Sequence, residues 1–488
     1  MHNQAHRLYG SSFTLYGWLV CVWALITPFQ HGYHTSVLNQ VEDVLTCKQT
    51  SRSNIQSISL PECIPMTDVT FSLITSIYTI GGLTGSLLAK YVMDRTGRRG
   101  ANCIGAFLVV VGTTVMALAG NVASLLAGRF LIGVASGLGL CVTPIYLSEI
   151  SPEKISGKIG MFTQLSIVIG IMVTEVVGLG LVGPSKTQSL LNLNFSSASI
   201  SPPSTWRYVF LPSSALSALQ LLVSITIVES PSFLLKSRTQ SEDEIPDPDS
   251  ASATEESPLL LNRDDARSHE GAETEPSPTE EKLSVRQLLK QKDLRNPLSI
   301  VCLAMIAQQV SGINPVLYYS NDILSKSLPT LSAYVSLGIT VLNALVTVPA
   351  VLLVEKLGRK KLLAISTAGA LLSLAVLGYS LDSAQNGTAR IISSVAIIMF
   401  VISFAFGMGP VPFVLIPEVS PANAISALSS VGLSISWITN CLVGFAFLPL
   451  RNWLSGGEAS KEGRVFYVIV VLLAVPAGML FRVYKPSN

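Results

Sequence analysis

Charge is what this sequence has least of. Only 32 basic and 30 acidic side chains stand among 488 residues, 13% in all, where a soluble domain carries about a quarter. With 49% hydrophobic residues and a mean hydropathy of +0.52, the shortage excludes an ordinary soluble protein. A net charge of +2 supplies no field for a nucleic acid, so none is expected as a partner. Catalytic constellations are missing as well: there is no nucleophile–base–acid set, no phosphate-cradling glycine loop and no metal-ligand spacing. The chain therefore reads as no enzyme, with neither cofactor nor metal expected. Seven cysteines are too few and too dispersed for a metal cluster. Cys21, Cys103, Cys141, Cys302 and Cys441 fall in apolar runs, as small hydrophobes do. Cys47 and Cys63 share a polar loop and are candidates for a disulfide, a pairing that spacing alone does not fix.

What the chain has in abundance is long apolar runs. A helix that crosses a bilayer needs ~20 mostly apolar residues. Twelve such runs begin near Phe13, Val69, Ala101, Ser124, Ile159, Tyr208, Pro297, Ala333, Leu362, Ile391, Leu428 and Arg464. The expected fold is thus all-α and integral to the membrane, with the lipid bilayer as a partner. Met1–Gly10 is polar and resembles no cleavable signal, so the first run is expected to stay as an anchor. Two signatures repeat between the halves. Asp94-Arg95-Thr96-Gly97-Arg98-Arg99 returns as Glu355-Lys356-Leu357-Gly358-Arg359-Lys360-Lys361, each between apolar runs. Pro144–Pro152, containing Glu149, returns as Pro417-Glu418-Val419-Ser420-Pro421. Basic turns collect in cytosolic loops by topology alone, but a second repeated signature argues for duplication. Duplicated halves with a solute site between them are the construction of a secondary transporter.

The bias of basic residues orients the chain. Arg95, Arg98, Arg99, Lys154, Lys158, Lys356, Arg359, Lys360 and Lys361 fall in short loops on one side, which places both termini and the long middle loop in the cytosol. The sequons at Asn194 and Asn386 fall on the other side, as candidate glycosylation sites. The boundaries follow: an N-terminal half over 1–228, a cytosolic loop over 229–296 and a C-terminal half over 297–488. From Lys236 to about Arg286 the loop is rich in Ser, Pro and acids, too poor in apolar surface to order itself. Its end, Glu281–Lys290, has apolar residues at 285, 288 and 289 and predicts a short amphipathic helix. Within the loop, Glu255-Glu256-Ser257-Pro258-Leu259-Leu260 resembles an acidic dileucine signal, with Glu255 four residues before Leu259. Its reader would be a clathrin-type adaptor complex and its destination a vacuolar or lysosome-like membrane. Chance occurrence of so short a motif, with a plasma-membrane location, is the alternative.

Polar residues within apolar runs are costly in lipid and normally face a cavity or a partner helix. The densest group is Gln308-Gln309-Val310-Ser311-Gly312-Ile313-Asn314-Pro315-Val316-Leu317-Tyr318-Tyr319-Ser320. Gly312 and Pro315 interrupt the helix there. An amide-rich broken helix suits a neutral polyhydroxyl ligand, because amides and hydroxyls both donate and accept. Helix–helix hydrogen bonding could absorb one or two of these groups, not comfortably four.

That stretch resembles the seventh-helix signature of the sugar porter family, the glucose-transporter-like branch of the major facilitator superfamily. The resemblance covers nearly the whole chain outside the loop and tail, and fungal vacuolar members are the kind it suggests. It includes Gly128-Arg129 with Gly133, Gln164-Leu165-Ser166-Ile167-Val168-Ile169-Gly170 and Pro410-Val411-Pro412-Phe413. It implies twelve helices in two six-helix bundles, alternating access, and a small-molecule sugar or polyol as substrate. By the same resemblance the sugar-contacting amides fall on Gln164, Gln308, Gln309, Asn314 and Asn343. The aromatic contacts fall on Phe413 and Trp437, and a hydrophobic contact on Ile171.

The chain also departs from the family pattern. The Arg seven residues after each cytosolic-gate Glu is replaced by Ser156 after Glu149 and by Ile425 after Glu418. Several gate ion pairs are thus missing, which weakens the expected outward-facing state. Glu149 and Glu229 are expected to pair with Arg95, Arg98 or Arg99, with Glu355, Arg359 and Glu418 as the second half's counterpart. His34 stands where proton-coupled members resemble one another in carrying Asp, opposite Arg129. One reading is a neutral His satisfied by a helix hydrogen bond; the other is a pH switch that repels Arg129 when protonated. Facilitated hexose transport is the expectation. The alternatives are a non-transporting sugar sensor on the same fold and a proton-coupled carrier of another small metabolite.

Overall fold

The computed structural model describes residues 13–39, 41–47, 60–182, 202–234, 285–315, 332–383, 387–421, 423–456, 458 and 461–484. Asn194, Asn386, Glu255, Leu259 and Leu260 lie outside the described residues. Ten stretches among the described residues are long and apolar enough to cross a membrane. One of them, within Asp68–Ala117, holds two helices that meet at Gly97, which has φ 75 and ψ −176. The helix Leu15–Ser36 precedes it, less apolar because its last turns carry Gln30, His31 and His34. Counting these two additions, the arrangement is consistent with twelve spans.

In chain order the first span is Leu15–Ser36, and the second and third lie in Asp68–Ala117. The fourth is Val122–Ile150 and the fifth Glu153–Val182, while the sixth begins as a tight helix over Pro202–Phe210 and continues as Leu211–Val223. The seventh is Arg295–Val310, the eighth Ser332–Leu357 and the ninth Arg359–Asp382. The tenth joins Gly387–Ser403 to Val411–Val419 through a widened turn, and the last two are Ile425–Ser455 and Arg464–Val483.

Lipid, not water, accounts for the outer surface. Leu15, Val22, Leu87, Phe107, Leu222, Leu372 and Val471 are all exposed, and a soluble protein rarely presents such side chains in number. Between helices there is no hydrophobic drive in lipid, so close packing of small residues and polar ties hold them together. The second and fourth spans show the first device: a side chain on Gly137 would run into the Gly82 backbone. The first and sixth show the second. Gln30 donates to the Ser213 carbonyl at 2.8 Å and to Ser217 Oγ at 2.9 Å, and Gln220 donates to Thr27 Oγ1 at 3.0 Å.

At the end opposite the Arg98 turn, Trp206 and Arg207 pin the loop after the first span. Arg207 donates to the carbonyls of Pro61, Ala117 and Ala119 at 2.7–2.8 Å, and Trp206 Nε1 to that of Glu62 at 2.9 Å. In the same loop Cys47 and Cys63 are disulfide-bonded, their Cα atoms 5.4 Å apart. The amphipathic helix forms over Val285–Lys290, and Leu288 is fully buried, with the helix against the eleventh span.

Candidate functional site

The site begins with a broken helix. The seventh span ends at Val310, and Gly312 takes φ 82, a conformation open to glycine and strained for other residues. The break turns Asn314 back onto the helix end, where its Nδ2 donates to Gln309 Oε1 at 2.5 Å. Gln309 Nε2 in turn donates to Ser436 Oγ of the eleventh span at 2.7 Å. Two amides are thereby held in fixed orientation before any ligand arrives.

Gln308 is fixed by the tenth span. Pro412 has no N–H to offer the Met408 carbonyl, so that carbonyl is orphaned within its own helix. Gln308 Nε2 supplies the missing donor, at 3.0 Å from the Met408 oxygen and 2.8 Å from that of Gly409. The widened turn over Phe404–Met408 is clamped from the ninth span as well, since Ser366 Oγ donates to the Ser403 carbonyl at 2.6 Å and accepts from the Met408 N–H at 2.8 Å. The amide nitrogen of Gln308 is thus spent on the fold, and its oxygen, which accepts one long bond from Gln309 Nε2 at 3.5 Å, keeps a second lone pair for a ligand.

These elements frame a small cleft between the two halves. Gln164, Ile171, Gln308, Gln309, Asn314, Asn343 and Phe413 all line it. The amides of Gln164 and Asn343 hydrogen-bond to no protein group among the described residues, so they face the cleft available. Flat Phe413 and Phe404 supply apolar walls beside them. Amides beside aromatic faces match a pyranose, whose rim is hydroxyl and whose faces are C–H.

Trp437 is the exception among the expected contacts. It does not line the cleft but lies one layer behind, because Gly82 has no side chain to keep the indole away from the second span. His31 stands in front of it, with ring centroids 5.5 Å apart. His31 and Thr35 of the first span, and Ile167, Val168, Ile313 and Phe404, line the cleft without having been singled out in the sequence. For the two first-span residues a signal existed: His31 and Thr35 are one turn apart and polar in an apolar run. Glu175 was also missed. It is 1% exposed in the fifth span and accepts from Asn39 Nδ2 at 3.1 Å.

His34 does not meet Arg129 through its ring. Arg129 Nη1 donates to the His34 backbone carbonyl at 2.8 Å, and its guanidinium lies 4.6 Å over the Tyr78 ring. The imidazole turns instead to Ser213, with Nε2 2.7 Å from Oγ. Ser213 gives its own proton to Gln30 Oε1 at 2.7 Å, so His34 must donate to it through Nε2–H. His34 Nδ1 is buried with no hydrogen-bond partner, an arrangement that suits the neutral ring.

The two repeated turns build matching latches. Arg98 Nη2 pairs with Glu149 at 2.8 Å, and the partners are 6% and 19% exposed. Glu149 also accepts from Ser230 Oγ at 2.5 Å. Glu229 accepts from the backbone N–H groups of Arg98 and Arg99 at 2.8 and 3.1 Å, not from their guanidinium groups. Arg95 takes no part in these carboxylate contacts and lies 4.3 Å over the Tyr91 ring. In the second half Arg359 pairs with Glu418 at 2.5 Å, the partners 28% and 32% exposed. The first latch is drier and engages more donors, so it is the stronger of the two. Glu355 lies at the end of the eighth span, one turn before Arg359.

A family model described as "Sugar (and other) transporter" matches residues 20–485. A probable metabolite transport protein of Saccharomyces cerevisiae is 28% identical over 475 residues, 95% of this chain and 90% of the relative. Facilitated glucose transporter member 1 of Gallus gallus is 30% identical over 478 residues, 96% of this chain and 90% of the relative. Among solved structures, a partially occluded inward-open form of the xylose transporter XylE from E. coli is similar with a TM-score of 0.67 and 20% identity, over 96% of this chain and 99% of that one. XylE bound to 6-bromo-6-deoxy-D-glucose gives a TM-score of 0.69 at 21% identity, over 95% and 94%. At that identity the structural likeness shows the fold, a major facilitator fold.

Proposed function

The chain belongs to the sugar transporter family of the major facilitator superfamily, and from that premise we propose that it moves a hexose across its membrane by alternating access, without proton coupling. The observation that carries the reading is the cleft between the halves, where the Gln309–Asn314–Ser436 network is set before binding and Gln164 and Asn343 remain free. Preset amides lower the ordering cost of gripping a neutral polyol. Charged solutes would find no counter-charge among the described residues that line the cleft.

The facilitated mode is supported at the first span. His34 brings no carboxylate to Arg129, and its ring is engaged by Ser213 instead. One observation favours proton coupling: Glu175 is a buried carboxylate in a membrane span, a placement that normally has a purpose. Imposing a proton gradient on vesicles separates the two. Uphill hexose accumulation that disappears in Glu175→Gln would replace the facilitated reading. For the substrate class, a binding panel on purified protein is expected to rank hexoses above amino acids and organic cations, and preference for a charged solute would contradict it.

We assign the vacuolar or lysosome-like membrane as the location on the Glu255–Leu260 motif. Changing Leu259 and Leu260 to Ala is expected to leave transport intact and move the protein to the cell surface, as fluorescence microscopy would show. Unchanged vacuolar staining would dispose of the adaptor partner.

A further inference from the structure

We propose that His31 is a specificity residue for the sugar: its Nε2 hydrogen-bonds one hydroxyl of the hexose from the N-terminal side of the cleft. The proposal rests on the hexose reading above. His31 lines the cleft from the first span, while Gln309 and Asn314 line it from the seventh, so it adds a polar group from the N-terminal half.

The ring is held by its neighbours. His31 Nδ1 lies 2.7 Å from Tyr78 Oη, and the two rings are stacked at 10° with centroids 6.0 Å apart. Trp437 meets both rings edge-on, at 82° to His31 and 78° to Tyr78. Tyr78 is itself fixed, 2.9 Å from Ser136 Oγ and beneath the Arg129 guanidinium at 4.6 Å. With Nδ1 committed to Tyr78, Nε2 is the nitrogen that bonds to no described residue. It is also not enclosed, since His31 is only part-buried and contributes to the cleft wall.

The chemistry works for either tautomer. When Tyr78 donates to Ser136, Nδ1 carries the proton toward Tyr78 and Nε2 accepts. When Tyr78 donates to Nδ1, Nε2–H donates instead. A sugar hydroxyl complements both, since it can accept or donate. The bond to Tyr78 accounts for Nδ1 alone and leaves Nε2 at the cleft wall. A polar nitrogen at the wall of an open cleft is satisfied by water until a ligand hydroxyl takes the water's place. The ring also couples the halves, because Trp437 belongs to the eleventh span and His31 to the first.

The test is a deoxy-hexose scan in liposomes with wild-type protein, His31→Phe and His31→Gln. Wild type must first take up the parent hexose; if it takes up none, the hexose reading fails and not this assignment in particular. Given uptake, one deoxy position is expected to raise KM about 3- to 10-fold in wild type. His31→Phe is expected to raise the parent KM by a similar factor and to erase discrimination at that position alone. His31→Gln, which keeps a donor and an acceptor, should restore part of it. Equal losses at every position, or wild-type discrimination retained at every position in either variant, would overturn the assignment. Should the Phe variant fail to insert, the Gln variant decides, because it must alter the ratio at one position only.

Discussion

Gly97→Ala is expected to cripple transport, and Gly358→Ala, at the equivalent turn of the other half, to do far less. Both glycines have a backbone that other residues avoid, at φ 75 and φ 77, so each substitution carries a strain of about 1–3 kcal/mol. What differs is the surroundings. A methyl on Gly97 would lie 2.5 Å from Glu229 Oε2, whereas nothing lies within 4 Å of the same position at Gly358. Glu229 would have to leave the N–H groups of Arg98 and Arg99, each a charge-assisted hydrogen bond worth about 1.5–3 kcal/mol. The Arg98–Glu149 pair rests on the same turn and would loosen with it. Thermal unfolding in detergent and uptake rate check this together. Equal damage from the two variants would show that the latches do not differ as described.

Gln309→Ala is expected to weaken hexose binding about 10-fold or more, beyond the loss of a single contact. The amide joins Asn314 to Ser436, so its removal deletes one sugar hydrogen bond, worth about 0.5–1.5 kcal/mol, and leaves two groups without their partner. Asn314→Ala breaks the same link from the other end. The double variant should therefore lose less than the sum of the singles, as for residues of one network. Tryptophan fluorescence or calorimetry on the four proteins gives the cycle. Strict additivity would mean that the two amides act separately, and no loss in either single variant would put the hexose elsewhere.

Much of this architecture is legible without coordinates, for physical reasons. A membrane span must be long and apolar, so the helices announce themselves one by one, and the repeated Gly97 and Gly358 turns reveal the duplication. The amides at Gln308, Gln309 and Asn314 stand out because lipid makes them expensive. Gln164, Asn343 and Phe413 are ordinary within their own segments, and resemblance to sugar porters was needed to bring them to the site. What the sequence hides is direction and exchange of partners. Gln308 turns its nitrogen to the carbonyl that Pro412 leaves orphaned, a debt visible only once the seventh and tenth spans are side by side. Glu229 chooses backbone N–H groups over the neighbouring guanidinium groups. Trp437 falls behind the cleft because Gly82 lets it approach and His31 takes the front. Each outcome depends on a residue far away in the chain.

The measurement that bears most directly on the account is counterflow: purified protein in liposomes preloaded with unlabelled hexose, with trace labelled hexose outside. A transporter with its site between two halves exchanges solute across the membrane, so the label should rise transiently above equilibrium in wild type and much less in Gln309→Ala. Saturable hexose binding to the same preparation with no entry of label would contradict transport and leave a sensor on a transporter fold.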